Sequence, residues 1–349
     1  MALLFIDGFD TLVTADLGLK YEYTYNTPVV GSSYKRNGTN GLQCGYTDTV
    51  RKTVAPATTT TGVFGFALYI ATAANGDICV VGNSEGDQFR LRLASADMTL
   101  TLNDRYGNVL ASSSGITLSE GEWNYLEIKF SIANSGGTVQ VRLNAASTYC
   151  INFTGDTHYQ TTVDWTTVAL SNGAASGMLW YDDFYICDLS DASTGNTGPS
   201  NDDFLGDMRV VAVLPQTDAV DAGSNADWSV STSTDHGAVV DDADADTDET
   251  DYVYSSTQNQ VDTYNFPALG VTGTVYGVQL SLCSKKTDAG AREIAAVARP
   301  ATTNRVGATK TLSTSYTYYL QVWNYNPETD DDWTVSAIDA SEFGIKVVT

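Results

Sequence analysis

One segment, "WNYLEIKFSIANSGGTVQVRLNA" at residues 123–145, constrains the fold more than any other. Leu126, Ile128, Phe130 and Ile132 recur at every second position, with Tyr125, Glu127 and Lys129 between them. That period belongs to a strand with one apolar and one polar face, because successive side chains of extended backbone point to opposite sides. "NSGG" supplies a turn, and Val139, Val141 and Leu143 repeat the pattern on the way back. The motif returns along the chain. "VFGFALYIAT" aligns Phe64, Phe66, Leu68 and Ile70, and "QFRLRLAS" sets Phe89, Leu91 and Leu93 inward with Arg90 and Arg92 outward. "NDRYGNVL" turns around Gly107 and Asn108. Half-apolar strands joined by short turns predict antiparallel sheets packed face to face, not a parallel sheet with crossover helices.

The rest of the chain agrees. Twenty Tyr and six Trp stand against four Met, and no long segment carries helical periodicity. The expected fold is all-β, with two antiparallel β-sandwich, jelly-roll-like domains. The boundary lies in "SDASTGNTGPSNDDFLGD", residues 190–207, where almost nothing can be buried. The predicted division is 1–190 as a first sandwich, 191–206 as a linker and 207–349 as a second sandwich. In the latter "MRVVAVLP" is expected to open the first strand, and "TVYGVQLSLCSKK", "SYTYYLQVW" and "FGIKVV" to form later ones.

Formal net charge is −24, which opposes binding to nucleic acid or to an anionic membrane. Five cysteines form no C-x-x-C pair, and Cys79 and Cys187 sit in strand-like runs as small buried residues. "MALLFI" meets Asp7 too soon for a signal-peptide core, and no apolar run reaches spanning length. Synthesis in a cytoplasm without a signal peptide, and no membrane insertion, are the expectations. The Thr- and Ser-rich surface nevertheless suits an exterior.

Three stretches of the first half resemble the concanavalin A-like lectin/glucanase superfamily in its laminin-G-like form. They are "LLFIDGFDTL", "EGEWNYLEIKF" and "MLWYDDFYICDL", the last carrying Asp182 to Tyr185. The resemblance implies that the first and last strands of this domain lie side by side. With "GDMRVVAVLP", "WSVSTSTDH", "YGVQLSLCSKKTDAG" and "NPETDDDWTVSAIDASEFGIKVV", the whole chain also resembles virion proteins of tailed phages. That resemblance implies a non-enzymatic structural component of the virion surface, a tail-associated appendage or capsid decoration. It would dock on other virion proteins, as a homo-oligomer. The alternative is a lectin-like module recognising host surface glycan.

Catalytic chemistry has little footing. The Glu-x-Asp-x-x-Glu strand of glucanases on this fold is missing, and the nearest acidic pair, Glu120 and Glu122, lies in a turn-like "SEGEW". His158 and His236 belong to no nucleophile or metal motif. In "VVDDADADTDETDYVY" seven of the eleven residues 241–251 are acidic, yet the glycine and terminal glutamate of an EF-hand loop are missing. No cofactor is expected. Calcium on Asp244, Asp246 and Asp248 is the one exception the residues leave open, against a reading as solvated loop. Tyr252 and, after "ETDDD", Trp333 are expected as inward anchors. For glycan binding the candidates are Tyr21, Tyr23 and Tyr25 at strand period in "KYEYTY", and Tyr316, Tyr318, Trp323 and Tyr325.

Overall fold

The computed structural model describes residues 3–56, 60–72, 75–159, 161–174, 176–189, 203–218, 227–232, 235–242 and 250–349. The chain is all-β and divides into two compact units, Met1–Thr194 with Ser200–Val211, and Gly195–Pro199 with Ala212–Thr349.

In the first unit the strands are β1 (Leu3–Asp7), β2 (Tyr23–Tyr25), β3 (Val29–Gly31), β4 (Gly41–Cys44), β5 (Thr49–Thr53), β6 (Thr61–Thr72), β7 (Gly76–Asn83) and β8 (Gly86–Ala94). They continue with β9 (Thr99–Asp104), β10 (Val109–Ser112), β11 (Trp123–Ser131), β12 (Gly137–Leu143), β13 (Ile151–Gly155), β14 (Thr167–Ser171) and β15 (Met178–Asp188). One sheet runs β13-β12-β11-β6-β15-β4-β3, with β1 also against β15, and the other runs β10-β9-β8-β7-β14-β5-β2. Leu3 lies opposite Cys187 and Asp7 opposite Phe184, so the first and last strands of the unit are antiparallel neighbours.

The core fills the space between the two sheets. Phe64, Phe66, Leu68 and Ile70 of β6 and Leu126, Ile128 and Phe130 of β11 are buried, as are Phe89, Leu91 and Leu93 of β8 on the facing sheet. Phe130 meets Phe89 edge-on at 5.4 Å and Trp165 at 5.1 Å. The Tyr181 hydroxyl, also buried, shares its one proton between the carbonyl oxygens of Ser171 and Ile78, at 2.7 and 2.9 Å, and so ties the two sheets together. Cys44, Cys79, Cys150 and Cys187 are buried as free thiols. Gly62 of β6 sits where a Cβ would come within 2.6 Å of the Trp165 ring and 2.7 Å of the Phe130 ring. Gly62→Ala is therefore expected to overpack the core and lower stability by about 1–3 kcal/mol, read as a reduced urea midpoint at unchanged slope.

A difference from expectation appears on the outer face of the β11 sheet. Tyr125 and Glu127 point away from the sandwich core, yet both are buried. The segment 203–211 packs over them, together with the loop at 34–40. Phe204 lies over the Arg142 guanidinium at 4.1 Å, and Gly206 N–H donates to Glu127 Oε1 at 2.8 Å. Val210 N–H donates to Asp183 Oδ1 at 2.8 Å, and its carbonyl accepts from Asn37 at 3.0 Å. "MRVVAVLP" consequently carries no strand, and the first unit extends to Val211, past the expected boundary at 190. Apolar residues had marked 208–214 as a strand. Backbone groups of Met208 and Val210 bond side chains of the first unit instead of a ladder.

The second unit has its own core. A six-stranded antiparallel sheet contains Val261–Asn265, Glu342–Val347 and Glu293–Arg299, and a separate antiparallel pair joins Val278–Ser284 to Thr317–Trp323. Ala296, Ala298, Trp323, Trp333 and Phe343 form the centre, with Leu280 and Leu282 packed on it. Trp333 is the anchor expected after the acidic run. Tyr252 is not: it is 38 % exposed, beside the two-residue strand Val253–Tyr254, which pairs only with Ser229–Val230 among the described residues. Among the described residues no helix is long and apolar enough to cross a membrane.

Candidate functional site

The outer face of the seven-stranded sheet carries partly exposed charged and aromatic side chains over a buried floor of small and apolar residues. Register assembles it from residues far apart in sequence. Tyr23 lies opposite Arg51, Arg51 opposite Ala169, Ala169 opposite Val80, Val80 opposite Arg90, and Arg90 opposite Asn103. One step along, Tyr25 faces Thr49, which faces Ser171, while Asp77 faces Arg92 and Arg92 faces Thr101. Alternation sends the intervening Val50, Leu170, Phe89 and Leu91 into the core.

A groove of about 270 Å³ runs between Tyr23, Tyr25 and the floor made by Arg51, Asp77, Asp87 and Arg90. Its floor is a chain of alternating charges. Arg51 Nη2 contacts Asp87 Oδ1 at 3.3 Å, and Arg90 Nη2 holds Asp87 Oδ2 at 2.8 Å. Arg90 Nη1 then reaches Asp77 Oδ2 at 3.4 Å, and Arg92 Nε meets Asp77 Oδ1 at 3.1 Å. Burial pushes the Asp77 carboxyl above the usual range, against the pull of Arg90 and Arg92. Thr47, Thr49 and Ser171 add hydroxyls to the lining.

Tyr23 and Tyr25 form the wall. They are 46 % and 54 % exposed, parallel to within 5°, with centroids 6.4 Å apart. The Arg51 guanidinium lies 5.5 Å from the Tyr23 ring centroid. Local chemistry holds this short edge strand in place. Glu22 accepts from Lys52 Nζ at 2.6 Å and from Thr53 N–H at 2.7 Å at one end. At the other, Asn26 donates to the Tyr46 carbonyl at 2.8 Å and Thr27 N–H to Asp48 at 3.0 Å.

Tyr21 does not join the pair. The chain is still in a helical turn, Leu17–Lys20, just before it, so strand alternation begins only at Tyr23. Tyr21 is 2 % exposed, stacks on Phe9, and donates its hydroxyl to Asp7 Oδ2 at 2.8 Å. In the second unit Trp323 is a core residue, not a platform. Tyr318, at the opposite parity, lies on the other face of that strand, and Tyr316 just precedes it; both are half-buried, with Lys285 Nζ 4.6 Å over the Tyr316 ring. Tyr325 falls beyond the strand end. Asp244, Asp246 and Asp248 lie outside the described residues. Among the described residues no group of three or more His, Cys, Asp or Glu is arranged to hold a metal.

A second polar cluster is sealed beneath the segment 203–211. Glu127 accepts the Tyr185 hydroxyl at 2.7 Å, and Arg36 Nη1 pairs with buried Asp183 at 3.0 Å and donates to the Met208 carbonyl at 3.1 Å. Arg36 also pairs with Asp207 and lies 4.9 Å over the Tyr125 ring. Asp182 accepts the Arg36 N–H at 2.8 Å. Covered in this way, the cluster clamps the segment onto the sheet. Neither histidine lines the groove: His158 bonds Asn134, and His236 bonds Asp262 within the second unit.

No protein-family model matches the chain, and no curated protein matches it in sequence. Similar solved structures overlap part of it. The cellulose-induced protein Cip1 is 15 % identical over 46 % of this chain and 85 % of its own, with a TM-score of 0.35. The carbohydrate-binding module CBM66 from Bacillus subtilis is 8 % identical over 46 % and 92 %, at 0.31. The galectin LEC-6 of Caenorhabditis elegans is 9 % identical over 39 % and 89 %, at 0.29.

The groove arginines and aspartates were not candidates from sequence. The outward Arg90-x-Arg92 pattern was the available signal, but its partners Arg51 and Asp77 come from other strands.

Proposed function

We propose that the first unit is a non-enzymatic, lectin-like carbohydrate-binding module, with the groove at Tyr23 and Tyr25 as its site. The observation that carries this reading is the pair of exposed parallel tyrosines beside a floor of pre-aligned guanidinium and carboxylate groups. Aromatic rings stack on the C–H faces of sugars, and fixed polar groups orient hydroxyls in an open, wet site. Both carboxylates are engaged with arginines, an arrangement suited to positioning and not to proton transfer. On the virion surface implied by the sequence resemblance, such a module would recognise host glycan while other surfaces dock on the particle.

The test is a double substitution, Tyr23→Ala with Tyr25→Ala, assayed on immobilised glycans and by isothermal titration. Losing two aromatic anchors should weaken binding at least about tenfold. The melting temperature should hardly move, because both side chains are about half exposed. Retained binding in the double variant would move the site elsewhere, and a parent protein that binds no glycan would sink the module reading.

A further inference from the structure

Donors and acceptors in the groove are out of balance. Both oxygens of Asp87 and both of Asp77 lie within 3.4 Å of a guanidinium nitrogen, so each carboxylate is ion-paired within the floor, although Asp77 Oδ1 is buried and accepts no hydrogen bond. The arginines are not. Among the described residues, Arg92 engages only through Nε, and Arg51 only through Nη2 apart from its approach to Tyr23, so Arg51 Nη1 and both Nη atoms of Arg92 have no protein partner. Exposure follows the same order. The side chains of Arg92, Arg51 and Arg90 are 37 %, 30 % and 29 % exposed, against 20 % for Asp87 and 17 % for Asp77. The cations therefore form the surface a ligand meets, with the anions beneath. Two arginines and two aspartates line the groove itself, and Arg92, beside it on Asp77, brings the local balance to three cations against two anions on a chain whose net charge is −24. A neutral sugar hydroxyl both donates and accepts, and here few acceptors remain. A carboxylate or sulfate only accepts, and its oxygens match the planar fork of an arginine.

We propose that the ligand of this groove is an acidic glycan, one bearing uronate carboxylates or sulfate esters, held by the free guanidinium donors of Arg51 in the groove and of Arg92 beside it while a sugar face rests on the tyrosines. The inference rests on the glycan-binding reading of the same groove. General attraction cannot produce such binding, because the overall field of the protein repels polyanions. It has to come from this local cluster.

Isothermal titration at physiological ionic strength would use three probes: an oligogalacturonate, the same oligosaccharide with its carboxyl groups reduced to alcohols, and a sulfated oligosaccharide of equal length. The expected result is at least tenfold tighter binding of an acidic probe than of the reduced one, with carboxylate and sulfate arms telling the two anion types apart. Arg92→Gln and Arg51→Gln should each remove most of that preference, and Arg92→Lys, which keeps the charge but not the fork, should retain part of it. Folding of each variant is checked by near-ultraviolet dichroism. Equal or tighter binding of the reduced probe would overturn the acidic preference and leave the module reading intact. A preference that survives both glutamine variants would also overturn it. Binding of no probe, with no binding on a wider glycan array, would overturn both.

Discussion

Arg36→Ala is expected to destabilise the first unit by about 3 kcal/mol or more, because it removes the nearest cation from a fully buried carboxylate. Asp183 has no exposed surface, and the Arg36 guanidinium lies 3.0 Å from it. The remaining cation, Arg209, is 3.7 Å away and half exposed, a weak substitute. The same substitution frees the Met208 carbonyl and Asp207, the grips on the covering segment, and uncovers the Tyr125 ring. For a unit of this size the loss should appear as a fall in melting temperature of roughly 6–12 °C. Proteolysis within 203–211 should accelerate as well. Adding Asp183→Asn should restore part of the loss, since a neutral amide leaves no buried charge. Asparagine also tolerates the backbone at 183, whose φ of +51° lies in the left-handed region. A variant that melts with the parent would mean that the segment is held by its apolar contacts and not by this network.

Stability of the first unit should also fall as pH rises from 5 to 8.5. Burial, reinforced by the neighbouring Asp183, raises the Asp182 carboxyl to about 8, and burial raises Glu127 and Asp10 as well. Such groups keep a proton in the folded protein at pH values where the unfolded chain has released it. Their stabilising contribution is complete below about pH 4 and is lost as pH climbs through the folded value. Each tenfold change in an acidity constant corresponds to about 1.4 kcal/mol, so a decline of about 2 kcal/mol across this window is a modest expectation. Asp203, Asp207 and Asp104 are held below the usual carboxylate range and titrate below the window, so they do not oppose it. The growing negative charge of the chain acts in the same direction. Asp182→Asn separates the two causes. It loses an acceptor to Arg36 N–H or Asp183 N–H and so starts from a lower baseline, but its pH slope should be much flatter. Equal slopes in parent and variant would assign the effect to general charge repulsion.

Both effects arise at residues whose surroundings the sequence did not disclose. Glu127 and Tyr125 read as the solvent side of a strand, and as far as the strand goes they are. Their burial comes from a segment some eighty residues later that had the apolar look of a strand. Asp182 and Asp183 stood out only as a family-like signature. An irregularity of β15 between Asp182 and Tyr185 brings both under the covering loop, and no local pattern announces it. In the groove, Tyr23 and Tyr25 were visible as an aromatic stripe. Extending that stripe back to Tyr21 assumed a strand that begins only at Tyr23, past the end of the helical turn at Lys20. Trp323 stood among the platforms as part of an aromatic-rich stretch, and alternation alone could not say which face of its strand packs on Phe343.

Sequence alone determined the all-β class, most of the longer strands and the inward residues of β6, β8 and β11. Side-chain alternation is a property of the local backbone, so a few consecutive residues reveal it. Only the tertiary structure decided which outward faces stay wet. One sheet is closed by the chain's own segment at 203–211, and the other keeps a groove lined by two arginines, two aspartates and two tyrosines. Pairing register and chain crossover set that outcome, and both depend on residues tens of positions apart.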